Sequence, residues 1–194
     1  MELYLIRHTT PDVPKGMCYG KADIPLIAEF QSEFLGVLSK FKDFPSKIYS
    51  SPSLRCKKLS EFITQNNFIN LEYSELLMEL NFGYWEGKLW SEIPKKESEP
   101  WTQDFLNVRT PGGESYSDLA ERISKFIKES VYPSSSSSLG IVTHAGVIRT
   151  FLCKLIGIPL ERGFSFELDY GSVSKILIVK NETEFFSKLV YWNR

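Results

Sequence analysis

The chain has only two histidines, and each follows a short apolar run. Residues 3–6 lead directly to Arg7 and His8. Residues 139–143, which are also mostly apolar, lead directly to His144. Short apolar runs of this kind are typical of strands that are covered on both faces. Because ligands of open α/β sheets bind at the carboxyl ends of the strands, the pattern predicts that both imidazoles lie at one site.

Each histidine could instead have a structural role or bind a metal. A single histidine at a strand end is more often a structural residue that hydrogen-bonds to the backbone, but two in the same context favour a shared site. A zinc or transition-metal site usually has three or four ligands, often closely spaced as in H-x-x-x-H or C-x-x-C, and the sequence has no such group. We therefore expect no metal and no cofactor.

The composition limits the partners of the chain. Its 194 residues include 23 Lys and Arg against 24 Asp and Glu, so the net charge of −1 gives no reason to expect a nucleic acid or an anionic membrane as a partner. The three cysteines are scattered, which fits reduced thiols. Neither a signal peptide nor a run of about 18 apolar residues is present. We expect a cytoplasmic protein that acts on a small molecule, and its oligomeric state is not indicated.

Strand-like runs alternate with amphipathic stretches along the chain. Helices are predicted over residues 25–44, 52–63, 115–126 and 145–156, and further strands over 46–51, 172–180 and 184–192. This alternation predicts one domain over residues 1–194, with a three-layer α/β/α fold and a mainly parallel, doubly wound sheet. The last two strands are predicted to form an antiparallel edge hairpin around residues 181–183.

Two of the predicted helices carry capping signals at their starts. Ser51 suits the N-cap position, and Pro52 suits the first helical position, where its missing N–H has no cost. Arg55 then falls in the first turn, where a cation is mildly unfavourable unless an anion binds nearby. Ser115 and Asp118 have the spacing of a capping box.

Two segments are predicted to flank the site. Residues 9–26 are rich in Pro and Gly and follow the first strand directly, which favours a site loop. Residues 88–110 are charged and aromatic but too few to own a core, which favours an inserted lid. Between these segments, Glu75 and Glu79 are candidates for acid–base chemistry, and Glu86 lies between Trp85 and Gly87. Taken alone, each of these acids is more often a surface residue or a hydrogen-bonded structural one.

A pocket for a dianion would form if the strand ends bring two cations and two imidazoles together: Arg7, Arg55, His8 and His144. Phosphoryl transfer suits this set, because arginines can surround the transferring oxygens bidentately without a metal. An unprotonated imidazole nitrogen can attack phosphorus and so divide hydrolysis into two steps. The leaving alkoxide then needs a proton, which a carboxylic acid can supply.

Five motifs, in order between residues 3 and 149, resemble those of the histidine phosphatase superfamily, which also contains the cofactor-dependent phosphoglycerate mutases. They are Leu5-Ile-Arg-His8, Ser50-Ser-Pro-Ser-Leu-Arg55, Glu79-Leu-Asn-Phe-Gly-Tyr-Trp-Glu-Gly87, Gly112-Gly-Glu-Ser115 and Thr143-His-Ala-Gly-Val-Ile-Arg149. The resemblance implies a phosphoglycerate mutase-like fold and a metal-independent phosphatase.

The resemblance also implies a role for each matching residue. His8 becomes the phosphohistidine nucleophile, and Glu79 becomes the proton donor. Arg7, Arg55 and His144 become the phosphoryl-binding residues. The family usually continues its first motif with Gly, then Thr or Ser, then Asn, whereas residues 9–11 of this chain are Thr-Thr-Pro. The phosphate contacts of this loop are therefore expected to differ from those of the family.

Within the superfamily, the loop motif Gly16-x-Cys-Tyr-Gly-x-x-Asp-x-Pro-Leu26 is most similar to that of the α-ribazole phosphatases. This implies hydrolysis of α-ribazole 5′-phosphate, a step in the assembly of the cobalamin nucleotide loop. Tyr19, Trp90 or Trp101 would then stack on the flat base of the substrate. The alternatives are a phosphoglycerate mutase-like transferase, which bisphosphate-dependent turnover would reveal, a broad-specificity sugar phosphatase, and a non-enzymatic module that binds phospho-ligands.

Overall fold

The sheet is seen in a computed structural model that describes residues 1–65, 67, 69–181 and 184–194. Within these ranges six strands form one sheet in the order β3-β2-β4-β1-β5-β6. They are β1 Glu2–Arg7, β2 Lys47–Ser50, β3 Asn70–Tyr73, β4 Ser138–Thr143, β5 Val173–Lys180 and β6 Phe185–Tyr191. The first four strands run parallel to one another, whereas β5 is antiparallel to β1 and to β6. The predicted mainly parallel sheet with an antiparallel edge hairpin is confirmed, although residues 182 and 183 of the predicted turn lie outside the described ranges.

Helices cover both faces of this sheet. They are α1 Phe30–Leu38, α2 Leu54–Gln65, α4 Tyr116–Phe126 and α5 Ala145–Ile156, while a further helix, α3 Lys95–Gln103, lies within residues 88–110. On β1, Leu3 and Leu5 pack in one core cluster with residues of α4 and α5. Tyr4 and Ile6 point to the other face and pack with residues of α1 and α2. The apolar run of β1 is therefore buried on both sides, which is why it lacks the alternation of a half-exposed strand.

Helix α1 is shorter than the predicted span of residues 25–44. Residues before it pair with the site loop instead, since Leu26 forms a bridge with Pro11 and the N–H of Ile27 donates to the carbonyl of Thr10. At the other end, the N–H of Lys40 donates to Val37, an i to i+3 bond that tightens the last turn. The prediction was wrong at both ends because the apolar spacing continues through residues that are held by other contacts.

Helix α2 begins at Leu54 rather than at Pro52. Its first N–H, that of Leu54, donates to the carboxylate of Asp23 at 2.7 Å, so a residue of the site loop satisfies this helix end. Ser51, the predicted N-cap, instead hydrogen-bonds through its Oγ to His144. Arg55 still lies in the first turn, as predicted, and its side chain is fully buried.

The signals for α4 and α5 are confirmed. Ser115 and Asp118 form a reciprocal capping box at the start of α4, which continues into a π-helical turn, Ile127–Val131. Helix α5 ends at Ile156 and is capped by Gly157, whose φ of 74° lies in the left-handed region that favours glycine.

Residues 88–110 pack against the site loop. Leu89 forms an isolated bridge with Met17, and the N–H of Trp90 donates to the carbonyl of Gly16. The segment contains α3 and contributes Trp101 to an aromatic cluster around the buried ring of Trp85. That this segment acts as a lid over a single domain stays a prediction. No helix in the described part of the chain is both long enough and apolar enough to cross a membrane.

Candidate active site

The two histidines meet because their strands are neighbours. Arg7 at the end of β1 is paired in register with Thr143 at the end of β4. His8 and His144 are the next residue of each strand, and the N–H of His8 donates to the carbonyl of Thr143 at 3.0 Å. Their ring centroids are 5.1 Å apart. The predicted convergence of the two imidazoles is thus present at the carboxyl edge of the sheet.

The ring of His8 has one nitrogen engaged by the backbone. Nδ1 lies 2.7 Å from the carbonyl oxygen of Thr9, which can only accept, so Nδ1 carries the proton. In the neutral ring, Nε2 then holds an unshared electron pair. Burial, with the charges of Arg55 and Arg7, lowers the pKa of His8 well below its usual value of 6.5. The imidazole is therefore neutral at pH 7 and carries a nucleophilic nitrogen.

His144 is held by hydrogen bonds on both nitrogens. The guanidinium of Arg55 donates to Nδ1 at 3.2 Å, so the proton of this ring lies on Nε2, which donates to Oγ of Ser51 at 2.9 Å. Burial, together with the charge of Arg55 and with His8, lowers the pKa of His144 well below 6.5. Cys56 Sγ lies 3.6 Å from Nε2, and burial raises the pKa of this thiol to about 12. His144 is a neutral, immobilised ring at pH 7.

These two buried histidines predict a loss of stability in mild acid. Their folded-state pKa values lie below 6.5, so the unfolded chain binds more protons than the folded chain as the pH falls below 6.5. Stability is fully present above pH 6.5 and decreases below it, by about 1.4 kcal/mol per pH unit for each histidine. Urea unfolding at pH 7, 6 and 5 measures this slope. His8→Asn should remove about half of the histidine contribution, and an unchanged slope in that variant would contradict the burial of a neutral His8.

The two arginines are anchored to main-chain carbonyls. Arg7 donates through Nη1 to Leu168. Arg55 donates to Ala22 at 2.8 Å and to Gly20 at 2.6 Å. In the described part of the chain, the buried Nε of each arginine has no hydrogen-bond partner. Buried donors are usually satisfied, so these two N–H groups are available to an anion.

Glu79 lies beside α5, where two backbone N–H groups hold its carboxylate. The N–H of Leu80 donates to Oε1 at 3.0 Å, and that of Gly146 donates to Oε2 at 3.1 Å. A Cβ on Gly146 would lie 2.5 Å from Oε1, so a larger residue would displace the carboxylate. The third motif and the turn after His144 are thus in contact through this acid.

The other two acids of this stretch, the candidate Glu75 and the neighbouring Glu86, lie elsewhere. Glu75 is exposed in a short 3₁₀ turn, Glu75–Leu77. Glu86 accepts from the N–H groups of Lys21, Ala22 and Phe82, and so ties the site loop to the segment that follows Glu79. Its carboxylate therefore has a structural role.

The site loop is fixed next to His8 by a contact that the sequence analysis did not find. Thr10 donates to the carboxylate of Glu33 in α1 through its backbone N–H, at 2.8 Å, and through its hydroxyl, at 2.7 Å. The neighbouring Thr9 is fully buried, and its hydroxyl has no hydrogen-bond partner among the described residues. The Thr-Thr-Pro sequence is therefore held to the helical layer.

The sequence profile of the Histidine phosphatase superfamily (branch 1) matches residues 3–190. The chain belongs to the histidine phosphatase superfamily. This confirms the family that the five motifs predicted, and the six-stranded sheet has the corresponding phosphoglycerate mutase-like fold.

Relatives of this chain are named for more than one substrate. It is 31% identical to "Putative phosphoserine phosphatase 2" of Hydrogenobacter thermophilus, over 99% of the chain and 95% of the relative. It is 26% identical to the adenosylcobalamin/alpha-ribazole phosphatase of Escherichia coli, over 91% of the chain and 89% of the relative. The alpha-ribazole phosphatase of Shigella flexneri has a similar fold, with a TM-score of 0.89 and 24% identity over 100% of this chain and 96% of that one.

A cavity of about 420 Å³ lies on the outer side of the site. Tyr19, Trp90 and Tyr170 line it together with most of residues 10–17. Two of the three predicted specificity residues therefore share one cavity. The third, Trp101, stacks on Trp90 with ring centroids 5.8 Å apart and packs against Phe82 and Trp85.

Tyr170 is a site residue that the sequence analysis missed. Its ring centroid lies 5.6 Å from that of His8 and 3.7 Å from the guanidinium carbon of Arg7. It belongs to the irregular segment before β5, which carries no motif of the family resemblance. No motif or periodicity in this loop marks Tyr170, so the sequence alone could not predict its contact with Arg7.

Proposed function

We propose that this chain is a phosphomonoester hydrolase that works through a phosphohistidine on His8. The observation that supports it most is the neutral imidazole of His8, whose Nε2 is unprotonated, close to two arginines whose Nε–H groups have no hydrogen-bond partner among the described residues. A phosphoryl group at this place would meet a nucleophile and hydrogen-bond donors at once.

The reaction would proceed in two steps. Nε2 of His8 attacks phosphorus, a P–N bond forms, and the ester P–O bond breaks while protonated Glu79 gives its proton to the leaving alkoxide. The Glu79 carboxylate then takes a proton from water, which attacks the phosphohistidine, breaks the P–N bond and releases inorganic phosphate. His8 returns to its neutral state, and Glu79 regains the proton that it gave to the alkoxide. Arg7, Arg55 and His144 bind the phosphoryl group in this scheme.

Metal independence is part of the proposal, because the two arginines supply the positive field at the phosphoryl group. Turnover of p-nitrophenyl phosphate should survive exhaustive treatment with a chelator. The measurement compares initial rates before and after treatment, and again after addition of Mg²⁺ or Zn²⁺. Loss of activity that either metal restores would show that the arginines are not sufficient.

For the substrate we propose α-ribazole 5′-phosphate. The outer cavity supports this, since the rings of Tyr19, Trp90 and Tyr170 line a space in which a flat dimethylbenzimidazole could stack. The relative in Escherichia coli that is named for this activity also supports it. Trp101 is assigned to the same function through its stacking on Trp90.

A panel of phosphomonoesters tests the substrate. Alanine at Tyr19, Trp90 or Trp101 should lower kcat/KM for α-ribazole 5′-phosphate by about 2-fold to 13-fold, the value of one aromatic contact, and the two tryptophan variants should spare p-nitrophenyl phosphate. If all three alanine variants keep the wild-type kcat/KM for the ribazole substrate, stacking by these residues is overturned. Preference of the wild type for 3-phosphoglycerate, or a need for a bisphosphate, would favour the mutase-like alternative.

A second candidate substrate, phosphoserine, is favoured by a separate cavity. This space of about 160 Å³ lies beside Glu79 and is lined by Arg149 as well as by Phe82, Tyr116 and Phe164. Arg149 is half-buried, and burial with the charge of Arg7 lowers its pKa. A carboxylate on the leaving group would offer this cation a partner. The panel therefore includes L-phosphoserine, and a higher kcat/KM for it than for the ribazole ester would decide between the two.

A further inference from the structure

Arg7 is held on two sides by one segment of the chain. The ring of Tyr170 covers the face of its guanidinium, with 3.7 Å between Cζ and the ring centroid. The carbonyl of Leu168, two residues earlier, accepts from Nη1 of the same group. A planar guanidinium that stacks on a ring and donates in its own plane has little freedom to rotate. The segment around Tyr170 therefore fixes the orientation of Arg7.

The segment itself is tied to the catalytic strand. The N–H of Gly171 donates to the carbonyl of His8 at 3.1 Å. On its outer side, the N–H of Asp169 donates to the side chain of Asn193 at 2.7 Å, and Lys40 donates to the carbonyl of Gly171 at 2.8 Å. Tyr170 is thus carried on a loop whose backbone is anchored next to the nucleophile.

The hydroxyl of Tyr170 reaches a residue of the opposite loop. Its Oη lies 2.5 Å from Oη of Tyr19, whose ring centroid lies 5.5 Å from Cζ of Arg55. Burial and the contact with Tyr170 raise the pKa of Tyr19, so the Tyr19 hydroxyl keeps its proton at neutral pH and can take part in this hydrogen bond. The series Arg7, Tyr170, Tyr19, Arg55 spans the mouth of the phosphate site.

This arrangement holds two cations at one anion site without an acidic partner. Two cations lie near one another, and in the described ranges neither has an ion pair. Ring faces attract a guanidinium without neutralising its charge, whereas a carboxylate would compete with phosphate for it. Paired tyrosines can therefore keep both arginines in place and leave them free to bind a dianion.

We propose that Tyr170 is a positioning residue of the phosphate site: its ring orients Arg7, and its hydroxyl bond to Tyr19 couples Arg7 to Arg55. This proposal rests on the proposed function, because it assumes that the two arginines bind the phosphoryl group. Tyr170 acts through Arg7 and does not itself take part in proton or phosphoryl transfer.

The test measures binding of inorganic phosphate by calorimetry and KM and kcat for p-nitrophenyl phosphate, in four variants. Tyr170→Leu removes the ring and should raise the phosphate Kd and the KM about tenfold, the value of one partly desolvated cation–π contact. Tyr170→Phe restores the ring but not the hydroxyl, so its loss should be only about threefold. Tyr19→Phe and the double variant, Tyr19→Phe with Tyr170→Phe, remove that same hydrogen bond. Both should therefore show the same loss of about threefold as Tyr170→Phe.

Several outcomes separate positioning from a purely structural role. A Leu variant with a lower Tm but the phosphate Kd of the wild type would overturn the proposal. If that variant does not fold, the phenylalanine cycle decides: additive losses in the double variant would show that the two hydroxyls act independently, and equal losses would support the coupling. Failure of the proposed function looks different, since the wild type itself would neither bind phosphate nor hydrolyse p-nitrophenyl phosphate.

Discussion

Replacement of His8 by alanine is expected to lower kcat for every phosphomonoester by about 10⁴-fold or more. The reason is that Nε2 of His8 is the attacking atom in the proposed reaction, and alanine offers no nucleophile in its place. In the described part of the chain, the nitrogens of the neighbouring His144 are both engaged, one by Arg55 and the other by Ser51. His144 is therefore badly placed to substitute as the nucleophile.

Steady-state turnover of p-nitrophenyl phosphate at saturation measures this effect. The control is phosphate binding, which should persist in the variant because Arg7 and Arg55 keep their backbone anchors. A variant that binds phosphate and keeps more than about a hundredth of the wild-type kcat would contradict the role of His8 as nucleophile.

Replacement of Glu79 by glutamine should slow hydrolysis of alkyl phosphates by about 10²-fold to 10⁴-fold. Glutamine has nearly the same shape, and its amide oxygen can still accept from the N–H of Leu80 or of Gly146. It cannot give a proton to the leaving alkoxide. A substrate with a good leaving group needs little protonation in its first step, so the burst of p-nitrophenol should be much less affected.

Pre-steady-state rates of phosphorylation by the two kinds of substrate measure this difference. Glu75→Gln is the matched control, because Glu75 lies four residues earlier and its side chain is exposed. It should leave both rates unchanged. Equal losses for alkyl and nitrophenyl esters in Glu79→Gln would assign the acid to another residue.

The sequence predicted those parts of the fold that depend on local pattern. The apolar runs before His8 and His144 form neighbouring parallel strands. Each strand is buried on both faces, and such burial requires consecutive apolar residues, which the sequence shows directly. The capping box at Ser115 and the glycine at residue 157 are also local signals. The predicted starts of α1 and α2 were wrong, because contacts with distant residues, Pro11 and Asp23, determine where these helices begin.

The site was predictable to the extent that its residues follow strands and motifs. His8 and His144 could be placed together from the sheet edge alone. Tyr170 could not, since its contact with Arg7 joins parts of the chain that no pattern connects; the hydrogen bond from Arg7 to the same segment spans 161 positions. Nor could spacing show that Trp90 lines the outer cavity while Trp101 packs behind it.

The central claim is that His8 becomes phosphorylated during turnover. The most direct measurement is to mix the enzyme with a ³²P-labelled phosphomonoester, quench within milliseconds in alkali, and map the labelled residue by mass spectrometry. We expect one phosphoryl group per active site, stable in alkali, lost in acid and located on His8. A label on another residue, or catalytic turnover with no trapped phosphoenzyme in the wild type and in Glu79→Gln, would contradict the claim.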